Sequence, residues 1–449
     1  MENTDIHTSV KLLKGNVAEL VKFLEKLGKL PADTDTSFLV DLAEHPNEKV
    51  RMWAVKNIGK LKSIDYLDLL TDLYHREEST IVRREIVSSI GRMRDYTTKK
   101  VLFEILSDND PKIVCQAIRG LLVFKGDSEI DNKLKHLQNH ENEMVKSAIK
   151  KAYFSKSKAD KQVLSHTEIY PFLKNVVVNG DVIDVLKYVP ADSVHLTFTS
   201  PPYYNARDYS IYASYEAYLN FLEDVFRETM RITKEGRFLI VNTSPVIEPR
   251  ISRAHSSKRY PIPFDLHYRL TKIGWEFIDD IIWMKPEFSV KNRIGGFQQH
   301  RKPLGYKPNN ITEYLMVYRK PTDKLLDWNM RQYDNEIVQI SKVADGFETT
   351  NVWQISPKSD KVHSAIFPPE LCKRVVQYYS YVGDLIFDPF GGSGTLGRTA
   401  FSLKRSFFLT EKEPEYFEYI KKQNDNDTLF KEEARRFLSL DEFIKTVQI

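Results

Sequence analysis

Two short stretches of this chain combine residue types that can do chemistry. In DLIFDPFGGSGTLGRTAFSL (384–403) an apolar run ends at Asp388, glycines follow, and an amphipathic helix begins near Thr395. Gly392, Gly394 and Gly397 spell G-x-G-x-x-G, which by itself suggests a dinucleotide, although glycine turns occur wherever a strand enters a helix. The next apolar run, SFFLTE (406–411), delivers Glu411 at its end. An acidic residue there suits the ribose hydroxyls of an adenosine, whichever cofactor carries it; its other reading is the solvated start of a helix. The second stretch, VHLTFTSPPYYN (194–205), reads as a buried strand with Ser200, Pro201, Pro202 and Tyr203 at its carboxyl end. That edge of an open α/β sheet is where ligands bind. Two successive prolines fix φ and remove two N–H donors, so the neighbouring carbonyls are free to face a substrate amine. Taken alone, the same tetrapeptide could be a surface turn.

The two stretches together resemble a known family. Asp388-Pro389-Phe390-Gly391-Gly392-Ser393-Gly394-Thr395 resembles the DPFxGSGT motif of amino-methylating DNA methyltransferases, and Ser200-Pro201-Pro202-Tyr203 is similar to their [DNS]PP[YFW] motif. The order, SPPY before the glycine loop, resembles the β-class, and the resemblance covers roughly residues 170–425. It implies S-adenosylmethionine as cofactor, with the glycine loop close to its methionine part and Asp388 accepting from its amino group. Glu411 would meet the ribose and Asp181, in Asn179-Gly180-Asp181, the adenine. HSAIFPPELCKRVV (363–376) resembles the HPAxFPxxL element; Ser364 replaces its usual proline, so Phe367 and Pro368 carry over as pocket residues. In the catalytic motif, Ser200 and the Pro201 carbonyl would hold the target amine, and Tyr203 would stack on the flipped base.

An aryl amine is a poor nucleophile because its lone pair is delocalised into the ring. Two acceptors on its N–H groups favour the tetrahedral geometry that localises the pair, so positioning and electrostatics carry the work and no metal is needed. Within the family SPPY is typical of cytosine N4, which implies methylation of that amine in double-stranded DNA by base flipping. Adenine N6 is the alternative. The resemblance further implies a restriction–modification system, with a cognate restriction endonuclease as functional partner. Two basic loops suit the phosphates: residues 245–263 hold Arg250, Arg253, Lys258 and Arg259, and residues 286–310 hold Lys291, Arg293, Arg301, Lys302 and Lys307. Either could equally be a solvated charged loop. Residues 321–350, with Trp328, Asn329, Arg331 and Gln332, are a second candidate for base readout. Two other classes stay open: a nicotinamide or flavin (NAD/FAD) oxidoreductase, which leaves SPPY unexplained, and a non-catalytic adaptor, against which intact Ser200, Tyr203 and Asp388 argue. An RNA or protein-amide methyltransferase is the nearest rival within the same chemistry.

These residues need a sheet to hold them. Strand-like runs at 237–244, 276–285, 313–320, 384–390 and 406–411 alternate with helical stretches, notably YEAYLNFLEDVFRETMRI and PPELCKRVVQYYS. That alternation predicts an α/β Rossmann-like domain with a parallel sheet covered on both faces. The first third has a different grammar. VRMWAVKNIG, VRREIVSSIG, VCQAIRGLLV and VKSAIKKAYF begin at Val50, Val82, Val114 and Val145, about 32 residues apart, and align without gaps. Apolar residues recur at the first and fifth positions of all four and at the ninth of the first three, one face of a helix, and each segment follows a polar turn and another apolar helix. Paired helices at this period resemble HEAT-like or armadillo-like repeats; a plain helical bundle is the other reading. The expected organisation is an all-α HEAT-like repeat domain over 1–155, a linker over 156–169, and the methyltransferase domain over 170–449 with recognition loops at about 245–263, 286–310 and 321–350.

Composition sets the remaining bounds. With 449 residues, 41% of them hydrophobic, the chain can build two or three cores and is no disordered polypeptide. Cys115 and Cys372 are too few for a disulfide framework or a cysteine zinc site, which points to a reducing cytosol and a cytoplasmic protein. No apolar run approaches a membrane span, and MENTDIHTSV lacks a signal-peptide pattern, so no membrane association is expected. The 66 basic against 62 acidic residues give a net charge of +4, so any basic surface must be local.

Overall fold

The computed structural model describes residues 3–13, 15–28, 30, 34–154, 165–205, 212–248, 258–290, 303, 309–358, 366–425 and 435–447. The chain divides into two compact units, Met1–Ala159 and Asp160–Ile449.

The described residues of the first unit form helices joined by turns. After α1 (Asn3–Leu13) and α2 (Val17–Lys26) come four pairs: α3 (Ser37–Leu42) with α4 (Glu48–Leu61), α5 (Leu67–Arg76) with α6 (Thr80–Met93), α7 (Lys99–Ile105) with α8 (Pro111–Leu121), and α9 (Ser128–His136) with α10 (Glu143–Tyr153). The polar turns supply the caps. Asn47 Oδ1 accepts from the backbone N–H groups of Lys49 and Val50, Asp110 from Lys112 at 2.8 Å, and Asn142 from Met144 at 2.9 Å. The aligned apolar positions form the core: Val50, Val82, Val114, Val145, Ala54, Ile86, Ile118 and Ile149 are all buried. At the ninth position Ile58 and Ile90 are buried, whereas α8 ends before Leu122, and its neighbour Leu121 fills the core instead. Successive second helices stack, α4 on α6 and α6 on α8. Side chains stitch residues one repeat apart: Asn57 Nδ2 donates to the Leu24 carbonyl (2.9 Å), Lys60 Nζ to the Leu27 carbonyl (2.9 Å) and Tyr96 to Asp127 (2.7 Å). This is a HEAT-like stack, in which each pair buries its face only against its neighbours.

Among its described residues the second unit is a nine-stranded sheet between helices. Its chain order is β1 (Val176–Asn179), α11 (Val182–Leu186), β2 (Val194–Thr199), α12 (Tyr215–Ile232), β3 (Thr233–Thr243), β4 (Val246–Glu248), β5 (Lys258–Tyr260), α13 (Ile262–Ile273), β6 (Glu276–Met284), β7 (Thr312–Arg319) and α14 (Asn335–Ile340). Then follow β8 (Val352–Gln354), α15 (Pro369–Tyr379), β9 (Leu385–Asp388), α16 (Thr395–Ser402), β10 (Ser406–Glu411), α17 (Pro414–Asp425), β11 (Arg436–Ser439) and α18 (Leu440–Val447). The sheet runs β11-β1-β10-β9-β2-β3-β7-β6-β8, with β4 and β5 as a separate two-stranded ribbon. The central strands β2 and β9 are buried at every position. Their alternate residues feed opposite layers: Leu196, Phe198 and Ile386 pack with α15 and α16, while Val194, Leu385 and Phe387 pack with α11, α12 and α18. Each such large side chain contributes roughly 1.5–3 kcal/mol on burial.

The architecture is the Rossmann-like α/β domain expected, with one departure. β7 runs antiparallel to both β3 and β6, so the sheet is mixed rather than parallel. The described part of the β6–β7 connection holds only a single turn of 3-10 helix, Glu287–Ser289. Among the described residues no helix is long and apolar enough to cross a membrane.

Candidate functional site

β1, β10, β9 and β2 are parallel neighbours, so Asn179, Glu411, Asp388 and Thr199 end on one edge of the sheet. A cavity of about 670 Å³ opens there. Its wall includes Asp181, Ser200, Pro201, Pro202, Tyr203, Phe367, Asp388, Pro389, Phe390, Gly391, Gly392, Ser393, Thr395 and Glu411. Residues from three separate motifs thus meet at one place. Pro368 and Gly394 lie off the wall: Pro368 precedes α15 and Gly394 precedes α16, where each shapes a turn.

The glycine loop is pinned to the strand beside it. The Gly391 N–H donates to the Thr410 carbonyl (2.8 Å), the Gly394 N–H to the Gly391 carbonyl (2.8 Å), and Thr410 Oγ1 to the Pro389 carbonyl (2.7 Å). Gly394 sits at φ +72, and a Cβ there would stand 2.8 Å from Ile420 Cγ2. The turn therefore needs glycine for both its backbone and its packing.

Two carboxylates flank the loop. Asp388 is only 2% exposed, and Oδ1 accepts both from Thr199 Oγ1 (2.7 Å) and from the Phe390 N–H (3.0 Å). Burial pushes its pKa up to about 7; those two bonds oppose the rise and the Glu411 charge adds to it. Glu411 Oε2 accepts from the Gly392 N–H (2.7 Å) and Oε1 from the Glu413 N–H (2.9 Å). Burial raises this carboxyl to about 7 as well, against those backbone bonds. Asp181 caps α11 through the Ile183 N–H (3.0 Å) and has Lys412 Nζ at 3.6 Å. Phe367 stacks on Phe198, centroids 4.5 Å apart, which fixes one wall.

Beyond β2 lies a group that the sequence did not point to. Glu313, on β7, accepts at Oε2 from Tyr203 Oη (3.0 Å) and from Asn242 Nδ2 (2.9 Å), and its Oε1 pairs with Lys285 Nζ. Burial, with the Glu313 charge second, holds the Tyr203 phenol well above its ordinary pKa, against a hydrogen bond from Ser200. Glu313, Lys285, Asn242 and Trp283 all line the cavity. They sit far apart in the chain on strands whose directions no local pattern reveals, so only the pairing brings them together.

Of the nine basic residues expected to meet DNA, Lys258 and Arg259 are exposed on β5, with Lys258 Nζ 4.7 Å from the Tyr260 ring centroid. Arg250, Arg253, Lys291, Arg293, Arg301, Lys302 and Lys307 lie outside the described residues, as does Ser364. The 321–350 segment is placed away from the cavity. Asn329 is buried at the opposite, amino edge of the sheet, where Nδ2 donates to the Gly236 carbonyl (3.0 Å) and Oδ1 meets His166 Nε2 (2.9 Å). Trp328 packs on His166 at 4.8 Å, and Arg331 pairs with Asp327. Asn329 is spent on holding the fold, which removes it as a base reader.

Comparison with known proteins finds relatives for both units. A family model described as DNA methylase, covering N6 and N4 enzymes, matches residues 194–422, and a HEAT-repeat model matches residues 18–89. The type II β methyltransferase M.BslI of Bacillus sp. (strain NEB-606) is 26% identical over 365 residues, which take in 75% of this chain and 38% of that protein's own length. The type II methyltransferase M.Cfr9I of Citrobacter freundii is 29% identical over 270 residues, covering 53% of this chain and 83% of its own. Among solved structures, TTHA0409 of Thermus thermophilus, described as a putative DNA modification methylase and crystallised with S-adenosylmethionine, is 27% identical. That match covers 57% of this chain and 96% of TTHA0409, with a TM-score of 0.45.

Proposed function

Since the chain belongs to the N6/N4 DNA methylase family, we propose that it transfers a methyl group from S-adenosylmethionine to the N4 amine of cytosine in duplex DNA. The observation that carries this reading is the shared cavity: the Ser200-Pro201-Pro202-Tyr203 turn and the Asp388 glycine loop line the same wall. The dinucleotide reading of the glycine pattern gives no role to that turn.

The residues fit the cofactor. Both hydrogen bonds to Asp388 fall on Oδ1, so Oδ2 is available to an ammonium group, and a carboxyl with a pKa near 7 gains from a cationic neighbour. Glu411 is oriented by two backbone N–H groups, as a carboxylate receiving ribose hydroxyls would be. Asp181 stands at the same wall for the adenine amine, with Phe367 as an apolar side. The cavity volume suits a ligand of this size. When bound, S-adenosylmethionine supplies an electrophilic methyl group on a sulfonium.

The chain's own part is to hold the amine. Ser200 Oγ and the Pro201 carbonyl accept its two N–H bonds, which localises the lone pair and aims it along the transfer direction. Pro202 keeps the turn stiff and without a donor that would compete. Tyr203 packs its ring on the extruded base, with the cost of extrusion offset by contacts along the duplex. Lys258 and Arg259, with the other seven basic residues named above, contact phosphates. A restriction endonuclease of the same sequence specificity is the functional partner, and the cytoplasm is the place of action. Ser200 at the first motif position favours cytosine N4 over adenine N6.

The test is direct. Labelled S-adenosylmethionine and mixed-sequence duplex DNA are incubated with the protein, and the digested nucleosides are identified by mass spectrometry. Label in N4-methylcytosine is the expected result; label in N6-methyladenine changes the base, and unlabelled DNA overturns the proposal.

A further inference from the structure

The order of strands divides the cavity. Asp181 follows β1, and Glu411 and Asp388 end β10 and β9, all on one side of β2, whereas Asn242, Glu313 and Lys285 belong to β3, β7 and the end of β6 on the other. The proposed cofactor residues and this second cluster are thus separated by the Ser200–Tyr203 turn. The second cluster is built, not incidental. The Glu313 and Lys285 side chains are only 14% and 18% exposed, and Lys285 Nζ also stands 4.7 Å from the Trp283 ring centroid. The Glu313 carboxylate on β7 is gripped from the strands on either side, by Asn242 of β3 and Lys285 at the end of β6, and its remaining bond goes to the phenol of Tyr203.

We infer that Glu313 is a positioning residue for methyl transfer: its carboxylate, held by Lys285 and Asn242, fixes the plane of the Tyr203 ring against which the target base packs. This rests on the methyltransferase reading of the Ser200–Tyr203 turn. The physical reason is orientational. Two prolines stiffen the backbone before Tyr203 but leave its side-chain torsions free, and a ring that rotates cannot present one face to a base. A hydroxyl bonded to a carboxylate is among the stronger neutral-to-charged contacts, and this carboxylate is itself anchored to the sheet. The ordering is thereby complete before the base arrives, and the base encounters a ready surface. The raised pKa of the phenol agrees: it keeps the proton that it donates.

The experiment is a double-mutant cycle in the full chain, with Tyr203→Phe, Glu313→Ala (which leaves no acceptor for the phenol) and the pair, read as the single-turnover methyl-transfer rate alongside calorimetric cofactor affinity. Tyr203→Phe keeps the ring and removes the hydroxyl with its contacts to Glu313 and Ser200, so it stays informative even if the Glu313 variant folds poorly. Losing a hydrogen bond to a charged group is expected to slow transfer about tenfold in each single variant. The double variant is expected to be no slower than the slower single, because both changes break the same bond. Cofactor affinity is expected to stay within about twofold of wild type, since the cluster lies across the turn from Asp388. A Glu313 that merely supported the fold would slow the Tyr203→Phe background further and weaken cofactor binding. Additive losses of about a hundredfold, an unchanged rate for Tyr203→Phe, or a fall in cofactor affinity would each overturn the inference. A wild-type protein that methylates no DNA overturns the underlying reading and this role with it; normal wild-type transfer with additive variants removes this role alone.

Discussion

Asp388 carries the sharpest consequence at the scale of single residues. Its carboxyl ionises near pH 7 instead of near 4 because burial disfavours the charge, and Glu411 shifts the same way for the same first cause. A cationic amine binds the ionised form. Affinity for S-adenosylmethionine is therefore expected to rise with pH and level off above about 7. Below that it should fall by up to about tenfold per pH unit while one carboxylate controls binding. Calorimetry between pH 5.5 and 8.5 checks this, and a flat profile removes Asp388 from the ammonium site. Stability follows the opposite sign. With the folded-state pKa above the unfolded one, the folded protein holds more protons between the two values, so the cofactor-free protein loses stability as pH rises from about 4 to about 7. Asp388→Asn preserves an oxygen for Thr199 and Phe390 but carries no charge. We expect this variant to melt higher than wild type at pH 8 without cofactor, and to bind the cofactor far more weakly. At Ser200 the loss should fall on rate instead: Ser200→Ala is expected to lower single-turnover transfer by about tenfold or more with cofactor affinity intact, as removal of an acceptor from the reacting amine requires. A variant with wild-type transfer would remove Ser200 from the reaction.

Among the elements, the turn between β9 and α16 tolerates little change at its glycine. Gly394→Ala would adopt φ +72 with its Cβ 2.8 Å from Ile420 Cγ2 on α17, so strain and overlap act together. A loss of about 2–4 kcal/mol in denaturant unfolding is expected, together with weaker cofactor binding as the loop shifts. Gly383 offers the comparison: it sits at φ +90 with nothing within 4 Å of its added Cβ, so Gly383→Ala meets the backbone strain alone. Its loss should stay near 1–2 kcal/mol, with cofactor affinity unchanged. Equal losses at both sites would show that Ile420 yields freely and that the packing account of the loop is wrong.

For the molecule as a whole, separate cores are the governing fact. The helical unit's apolar cluster runs from Ile6 to Ile149, and the clusters about the sheet run from Leu173 to Phe443. Each unit therefore carries what it needs to fold alone. Every residue of the candidate cavity lies in the second unit. A chain beginning near Lys156 is expected to bind S-adenosylmethionine with wild-type affinity while losing affinity for DNA, because stacked helices present a long surface suited to flanking duplex or a partner. Comparing kcat/KM on the same duplex checks it. If the shortened enzyme is unimpaired, the repeats serve a protein partner rather than the DNA grip.

Much of this was legible from sequence, and for a local reason. The repeat announces itself because each helix pair contacts only its neighbours, so the same apolar positions and capping residues recur about every 32 residues. The glycine loop and the Ser-Pro-Pro-Tyr turn announce themselves because each completes its geometry within a few consecutive residues at the end of a strand. The expectation for Asn329 failed because a polar residue in a loop looks alike whether it faces a ligand or, as here, closes a buried network with Gly236 and His166. The reversed direction of β7, the short strands β8 and β11, and the Glu313 cluster were decided only by tertiary structure. Alternating apolar residues mark a strand but carry neither its direction nor its partner. Those depend on contacts between residues far apart in the chain, and the reversal that sets Glu313 of β7 opposite Trp283 of β6 is what brings its carboxylate to Tyr203.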